Sequence, residues 1–244
     1  MAITAAQRLL LGSWVQLLVS LYTPAFATVP LITNPSFINE CVKVHNKFRA
    51  EVRPTASGML TMTWDEGLAK TARAWSRTCQ FKHNPNLSKK GIAHPSFNPV
   101  GENIFASTGS FNAKHAIKRW YDEVVDYDYS TTSCKPNKVC GHYTQLVWAA
   151  TYKVGCSVSD CPKGIKGSGL KGPGVIFVCD YAPAGNYVGA SPFSSGGSCS
   201  ECTGGCNNKL CKYPNWNPNF GSASTSLCDR LLLLSSIIVI YILQ

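Results

Sequence analysis

The chain has 244 residues, is 45% apolar and 15% charged, and carries twelve cysteines and a formal net charge of +10. That length holds one well-cored domain with a small appendage, and so many cysteines exclude a reducing compartment once a secretory leader is found. The positive balance suits acidic glycans or anionic lipid head groups, or solubility alone, and nucleic acid is excluded as a partner outside the cell.

Residues 1–27 set Arg8 before an apolar run from Leu9 to Val19 and close on Ala25-Phe26-Ala27, the order of a secretory signal peptide cleaved after Ala27. Pro24 ends that run short of the roughly 20 residues a membrane-spanning helix needs. Phe37, Cys41, Val44, Phe48 and Val52 recur at helical spacing, which predicts a helix over 35–52 that stops before Pro54. Leu60 to Trp64 alternates like a short strand, and Asp65 caps a second helix with Leu68, Ala72, Trp75 and Cys79 facing inward. Residues 81–100, rich in Pro, Asn and Lys, read as a long surface loop holding one glycosylation acceptor, Asn86 of Asn86-Leu87-Ser88.

Ile104 and Phe105 read as strand, residues 113–127 as a third helix with Ala116, Ile117, Trp120 and Val124 inward, and His142 to Ala150 as a fourth. Two strands, Lys153 to Val158 and Val175 to Tyr181, flank a Gly-rich loop in which Lys163, Lys166 and Lys171 are expected to be mobile and exposed, the best electrostatic contact in the chain. The unbroken apolar run from Val175 to Cys179 predicts a strand covered on both faces, hence an α/β fold in three α-β-α layers.

Beyond Ala190 the composition shifts to Ser, Gly and Cys. Cys199, Cys202, Cys206 and Cys211 make residues 191–221 a stapled tail, expected to be independent of the main domain at 28–190. Residues 231–244 form an apolar end that reaches only about 21 Å as a helix, short of a bilayer core of about 30 Å. With the small residues Gly221-Ser222-Ala223-Ser224 ahead of it, residues 222–244 read as a GPI-anchor propeptide with Gly221 as the lipidated residue; a stub membrane helix is the alternative. Either reading carries the protein through the secretory pathway to the outer face of the plasma membrane. Cys228 leaves with the propeptide, so an odd number of cysteines remains and Cys41, isolated in sequence, is the candidate free or intermolecular thiol, with Cys228 its alternative partner.

One histidine, His142 in VCGHYTQLVW, lies beside an apolar run, where an isolated imidazole is more often structural than a ligand. Its partners must come from elsewhere. Glu123 follows Trp120 by three residues and so faces the buried side, where a carboxylate needs a partner. Glu102 follows the loop histidine His94 by eight residues. Two histidines and two acids, His94, Glu102, Glu123 and His142, make one cavity in which imidazoles bind zinc and carboxylates orient the rings or hold a metal-bound water. No HExxH or paired CxxC fixes that geometry locally.

Four segments, VGENIF (100–105), KRWYDEVVDY (118–127), GHYTQLVWAAT (141–151) and IFVCDYAPAGNYV (176–188), resemble the signature blocks of the CAP superfamily of cysteine-rich secretory, antigen 5 and pathogenesis-related 1 proteins. The likeness covers about residues 35–190 and within the superfamily runs to the glioma pathogenesis-related proteins and their 1-like relatives. It implies an α-β-α sandwich over 28–190 with a short cysteine-rich, hinge-like tail. It also implies a cavity of two histidines and two acids matching His94, Glu102, Glu123 and His142, with zinc or another divalent metal on His94 and His142. The disulfides it implies are Cys79 to Cys161, Cys134 to Cys140 and Cys156 to Cys179, with two more among Cys199, Cys202, Cys206 and Cys211. Asp180 stands where Asn is commoner in the family and Val100 where toxin-like relatives carry a cysteine; their channel-blocking second domain is absent, which argues against ion-channel regulation.

Three functions compete. A GPI-anchored binding module, by resemblance a sperm-surface protein in sperm–egg binding, takes an extracellular or egg-surface protein or an acidic glycan as partner. A lipid or sterol carrier would use the aromatic stretch Tyr143 to Tyr152, whose alternative is core packing. A metal-dependent hydrolase would use a metal-bound water with Glu102 or Glu123 as base, although two imidazoles hold a metal weakly and no serine nucleophile with partners is evident; no catalytic residue is assigned.

Overall fold

The computed structural model describes residues 29–213, so the signal peptide, Gly221, Cys228 and the C-terminal propeptide lie outside the described residues. Helix α1, Pro35–Ala50, begins where Asn34 Oδ1 accepts a hydrogen bond from the Phe37 amide, with proline at the first position. Its inward face is Phe37, Cys41, Val44 and Phe48, as the spacing predicts, joined by two buried polar residues, His45 and Arg49. Helix α2, Glu66–Ser76, is capped by Asp65, whose carboxylate accepts from the Leu68 amide.

The buried face of α2 differs from expectation: it is Leu68, Ala69, Ala72 and Ser76, while Trp75 is half-buried and Cys79 lies beyond the helix end at positive φ. Small residues win because α2 lies directly on the sheet. A Cβ at Gly155 would strike the backbone at Asp65, Leu68 and Ala69, so glycine there is what permits the approach.

The sheet has four strands in the order β1-β5-β6-β2, and comprises β1 (Thr63–Trp64), β2 (Gly101–Ser107), β5 (Lys153–Cys161) and β6 (Gly174–Ala182). β1 runs parallel to the start of β5; β5, β6 and β2 are mutually antiparallel. Along β6, Phe177, Cys179 and Tyr181 join the large core under α1, whereas Ile176 and Val178 join Ala72 and Ile104 under α2. The alternation buries both faces, which is why this segment reads as an unbroken apolar run. Leu68, Ala93, Val100 and Ala182 close a third cluster beneath the irregular 81–100 segment.

On the α1 side, α3 (Ala113–Tyr121) buries Ala113, Ala116, Ile117 and Trp120. It stops at Tyr121 and continues as a 3-10 turn, Asp122–Asp126, so the helix expected to reach residue 127 breaks where Glu123 turns to meet a neighbour described below. A small hairpin follows, β3 (Tyr127–Asp128) with β4 (Ser133–Cys134). Helix α4, Gly141–Leu146, is shorter than the expected 142–150. The Arg49 guanidinium takes the carbonyls of Leu146, Trp148, Ala149 and Thr151, so this stretch has its acceptors satisfied without a further helical turn.

The tail is not independent of the main domain. β7 (Cys206–Asn207) and β8 (Leu210–Cys211) dock on it: the Cys211 amide donates to Met59 O at 2.8 Å, Thr61 N donates to Cys211 O at 2.8 Å, and Phe193 and Leu210 are part of the main core. Two apolar side chains suffice to anchor a segment that has no core of its own. Five disulfides join Cys79–Cys161, Cys134–Cys140, Cys156–Cys179, Cys199–Cys206 and Cys202–Cys211. Cys41 has no disulfide partner among the described residues and is fully buried, and burial pushes its thiol well above the ordinary range, as for an inert core residue.

Candidate functional site

The start of β2, an edge strand, organises the chemistry. Successive strand residues project to opposite faces, so Glu102 points to the α2 side and Asn103 to the α1 side, and each meets a histidine. On the first face Glu102 Oε1 binds His83 Nδ1 at 2.8 Å and accepts from the Asn84 amide at 3.0 Å. The carboxylate is fully buried while the His83 ring is largely exposed and lids it. The hydrogen bond to Glu102 raises the His83 pKa against the lowering effect of burial.

On the second face, Glu123 on the 3-10 turn binds His142 Nδ1 at 2.6 Å through Oε1, and its Oε2 accepts from the amides of His142 at 3.0 Å and Tyr143 at 3.1 Å. Those amides are first-turn donors of α4 without helical acceptors, so one carboxylate caps the helix and aims the imidazole. Trp120 lies nearly parallel to the His142 ring, 6.2 Å between centroids, and Asn103 Nδ2 donates to His142 O at 3.0 Å. The partner that Glu123 required is therefore His142.

His94 does not join this group. Its Nδ1 accepts from the amides of Ser96 and Phe97 at 3.1 and 3.2 Å, and its Nε2 lies 3.3 Å from Asp65 at the N-terminus of α2, with the Phe97 ring alongside. Both ring nitrogens are engaged in shaping the loop, and Asp65 follows β1 at the opposite edge of the sheet from β2. The structure thus pairs His83 with Glu102 and His142 with Glu123, one pair on each face of the sheet, and His94 belongs to neither pair. His142, which the sequence left open between core and site, is half-buried and paired.

One further acid and a relay were not anticipated. Asp180 stands opposite Glu102 in the β2–β6 register, is fully buried, and has neither oxygen hydrogen-bonded; Glu102 Oε2 is likewise without a partner. Burial, and secondarily the Glu102 charge, push Asp180 well above the usual carboxylate range. On the other face His45 Nδ1 donates to Cys41 O at 2.7 Å and Tyr181 Oη donates to His45 Nε2 at 2.8 Å. Asn103 Nδ2 donates to Tyr181 Oη at 3.3 Å, which joins α1 to the His142 carbonyl. Burial, with the Arg49 charge in support, lowers His45 to about 4.

Metal fit can be judged from the donors. In both pairs a carboxylate holds Nδ1 and leaves Nε2 without a protein partner among the described residues, the arrangement that orients histidine ligands at metal centres. His83 and His142 each present a free Nε2 in this way, one on each face of the sheet, whereas His94 has both ring nitrogens engaged. A group of three ligand atoms within 4.8 Å occurs among the described residues at Cys199, Cys202 and Cys211, but all three sulfurs are in disulfides and offer no thiolate.

Away from these pairs, Lys163, Lys166 and Lys171 are exposed as expected, yet their loop is tied down: Lys166 N donates to Cys79 O at 2.9 Å and Phe81 N to Lys166 O at 2.8 Å. Asn86 lies in the irregular 81–100 segment with its side chain half-exposed. The aromatic stretch proposed for sterols is mostly interior, with Tyr143, Leu146, Val147 and Trp148 buried.

A family model described as the cysteine-rich secretory protein family, CAP, matches residues 42–181. Among curated proteins, the chain is 46% identical over 224 residues to GLIPR1-like protein 1 of Bos taurus, covering 87% of this chain and 89% of that one. It is 42% identical over 250 residues to glioma pathogenesis-related protein 1 of Mus musculus, covering 94% and 92%. Among solved structures, that of NaASP2 with Zn2+ superposes with a TM-score of 0.56 at 27% identity over 76% of this chain and 98% of that one.

Proposed function

This chain belongs to the CAP family of cysteine-rich secretory proteins and is an extracellular protein, and from that premise we propose that it is a binding protein of the cell surface, held by a GPI anchor at Gly221 and acting in sperm–egg adhesion. The observation that carries the reading is the closure of the Glu123–His142 pair, whose carboxylate gives both oxygens to the imidazole and to two backbone amides, while Glu102 gives one oxygen to His83 and the Asn84 amide and keeps the other buried. Chemistry at such a pair would require breaking the bonds that build α4 and the His83 loop. The anchor follows from the small residues and short apolar end of residues 221–244, and the adhesion role from the resemblance to the glioma pathogenesis-related 1-like proteins.

The basic loop supplies the contact surface. Three lysines on a pinned, exposed loop present a fixed positive patch to an acidic glycan or an acidic face of an egg-surface protein. Where zinc or another divalent ion binds, His83 or His142 holds it; such an ion would supply a Lewis acid, and the chain's own residues do no more than bind and orient it, with Glu102 and Glu123 fixing the rings.

The test compares wild type with two variants, His83→Ala/His142→Ala and Lys163→Glu/Lys166→Glu/Lys171→Glu, for egg-surface binding, sterol binding and hydrolysis of a peptide library. Adhesion that survives the first and collapses in the second is the expected pattern. Hydrolysis lost with the histidines, while the lysine variant adheres as wild type, overturns the proposal. Release of the protein from cells by a phosphatidylinositol-specific phospholipase is expected, and its failure removes the anchor from the reading.

A further inference from the structure

A cavity of about 220 Å³ lies away from both His–Glu pairs, where α2 meets the outer edge of β5. Its polar wall holds Arg73 in the last turn of α2 and Arg77 at the cap just past it, with Ser157 and Asp160 of β5. Its apolar wall is the extended segment Val29–Ile32, which crosses in front of β5. β1 pairs only with Lys153 and Val154, so from Ser157 onward this edge of β5 has no strand partner among the described residues.

Three observations give the cavity a charge preference. Neither guanidinium makes a hydrogen bond, ion pair or ring contact among the described residues, although Arg presents five donors in a planar fork suited to oxyanions. Ser157 is buried and accepts from Ser76 Oγ at 3.3 Å, while its own hydroxyl proton has no acceptor among the described residues. Asp160 sits on the same wall without pairing to either arginine, which leaves one net positive charge and favours a single anionic group over a polyanion. As last-turn cations Arg73 and Arg77 also complement the α2 dipole, but that role accounts for neither the spare serine proton nor the apolar wall.

We propose that Arg73, Arg77 and Ser157 form a binding site for one oxyanion carrying a short apolar chain, the anion on the guanidiniums and the chain against Val29–Ile32. The cavity falls below the roughly 300–1,000 Å³ of sites that enclose a drug-sized ligand, so it takes the head and first carbons of an amphiphile and not a whole lipid. A carboxylate and a phosphate monoester share this chemistry and come from different sources, a fatty acid end or a phospholipid fragment.

The secreted, processed protein is titrated calorimetrically with inorganic phosphate, butyl phosphate and butyrate at low salt. Binding of butyl phosphate or butyrate at least about tenfold tighter than inorganic phosphate is expected, because only the chain reaches the apolar wall. The tighter of the two names the source. Arg73→Gln/Arg77→Gln is expected to abolish binding of every probe, and Arg73→Lys/Arg77→Lys to weaken it about tenfold by losing the fork while keeping charge. Leu31→Ser should lower butyl phosphate affinity and leave inorganic phosphate unchanged. The proposal is overturned if no probe binds, if the glutamine variant binds as wild type with an unchanged unfolding midpoint, or if inorganic phosphate binds as tightly as butyl phosphate.

Discussion

Acid should loosen this fold through one residue, His45. Its ring is fully buried in α1, with Nδ1 donating to Cys41 O at 2.7 Å and Nε2 accepting from Tyr181 Oη at 2.8 Å, a pair of bonds that only the neutral imidazole can make together. Burial lowers its pKa to about 4, whereas the unfolded chain protonates it near 6.5. A depressed folded pKa means the unfolded state binds the extra proton first, so the stabilisation is complete above pH about 6.5 and is lost as pH falls toward 4. Each unit in that window is worth about 1.4 kcal/mol, so about 2 kcal/mol is gone at pH 5 and about 3 kcal/mol at pH 4. The measurement is denaturant unfolding with disulfides intact at several pH values, for wild type and His45→Gln. The variant is less stable throughout; the informative quantity is the difference between the two curves, which should shrink by about 2 kcal/mol from pH 7 to pH 5. Parallel curves over that range would show that His45 does not titrate differently in the folded protein and would refute the buried relay.

Asp180→Asn should stabilise the protein at neutral pH: the folded carboxyl is raised, so the wild type loses about 1.4 kcal/mol for each unit from about pH 4 up to the folded pKa, and unfolding midpoints at pH 5 and pH 8 should show the variant gaining most at the higher value. For zinc, monitored by calorimetry, His83→Gln and His142→Gln are each expected to weaken binding at least about tenfold, while His94→Gln leaves it unchanged. Arg49→Lys should cost about 3 kcal/mol or more, read as a drop in thermal midpoint and secreted yield, because the guanidinium bonds five carbonyls and Leu60, Leu146 and Thr151 have no other donor to replace it. Salt should weaken any lysine-loop contact with an acidic glycan, and Lys163→Glu/Lys166→Glu/Lys171→Glu should remove that salt dependence.

Much of the fold is legible because periodicity reports burial. The α1 stripe and the two-faced β6 run are direct consequences of where apolar side chains must go. What escaped has a physical reason in each case. His83 sits in KHNPN, a stretch whose composition reads as solvent-exposed loop, and His94 was favoured for being nearer to Glu102 in sequence and as the match to the family's cavity histidine. Distance along a loop says little about distance in space. One signal was available: Cys79, four residues before His83, is pinned to Cys161 at the end of β5, which keeps the following residues against the sheet. His45 and Arg49 escaped because polar residues on a buried helix face are explained by partners from distant carbonyls and hydroxyls, which periodicity does not encode. The tail was misjudged by averaging: its composition is polar, but Phe193 and Leu210 alone are enough to seat it in the core.

The two His–Glu pairs are built to stay as they are. Glu123 spends both oxygens on His142 and on the first turn of α4, and the His142 carbonyl is in turn held by Asn103, whose other bond runs through Tyr181 and His45 to the backbone of α1. Moving the His142 ring therefore disturbs a chain of bonds that crosses the core, and the cost rises because every member of it is partly or fully buried. Neither Glu123 nor His142 can change hydrogen-bond partners without loosening the first turn of α4. The same rigidity suits a protein that presents surfaces: the exposed faces of His83 and the lysine loop are carried on segments fixed at Cys79, so partner binding costs little ordering entropy.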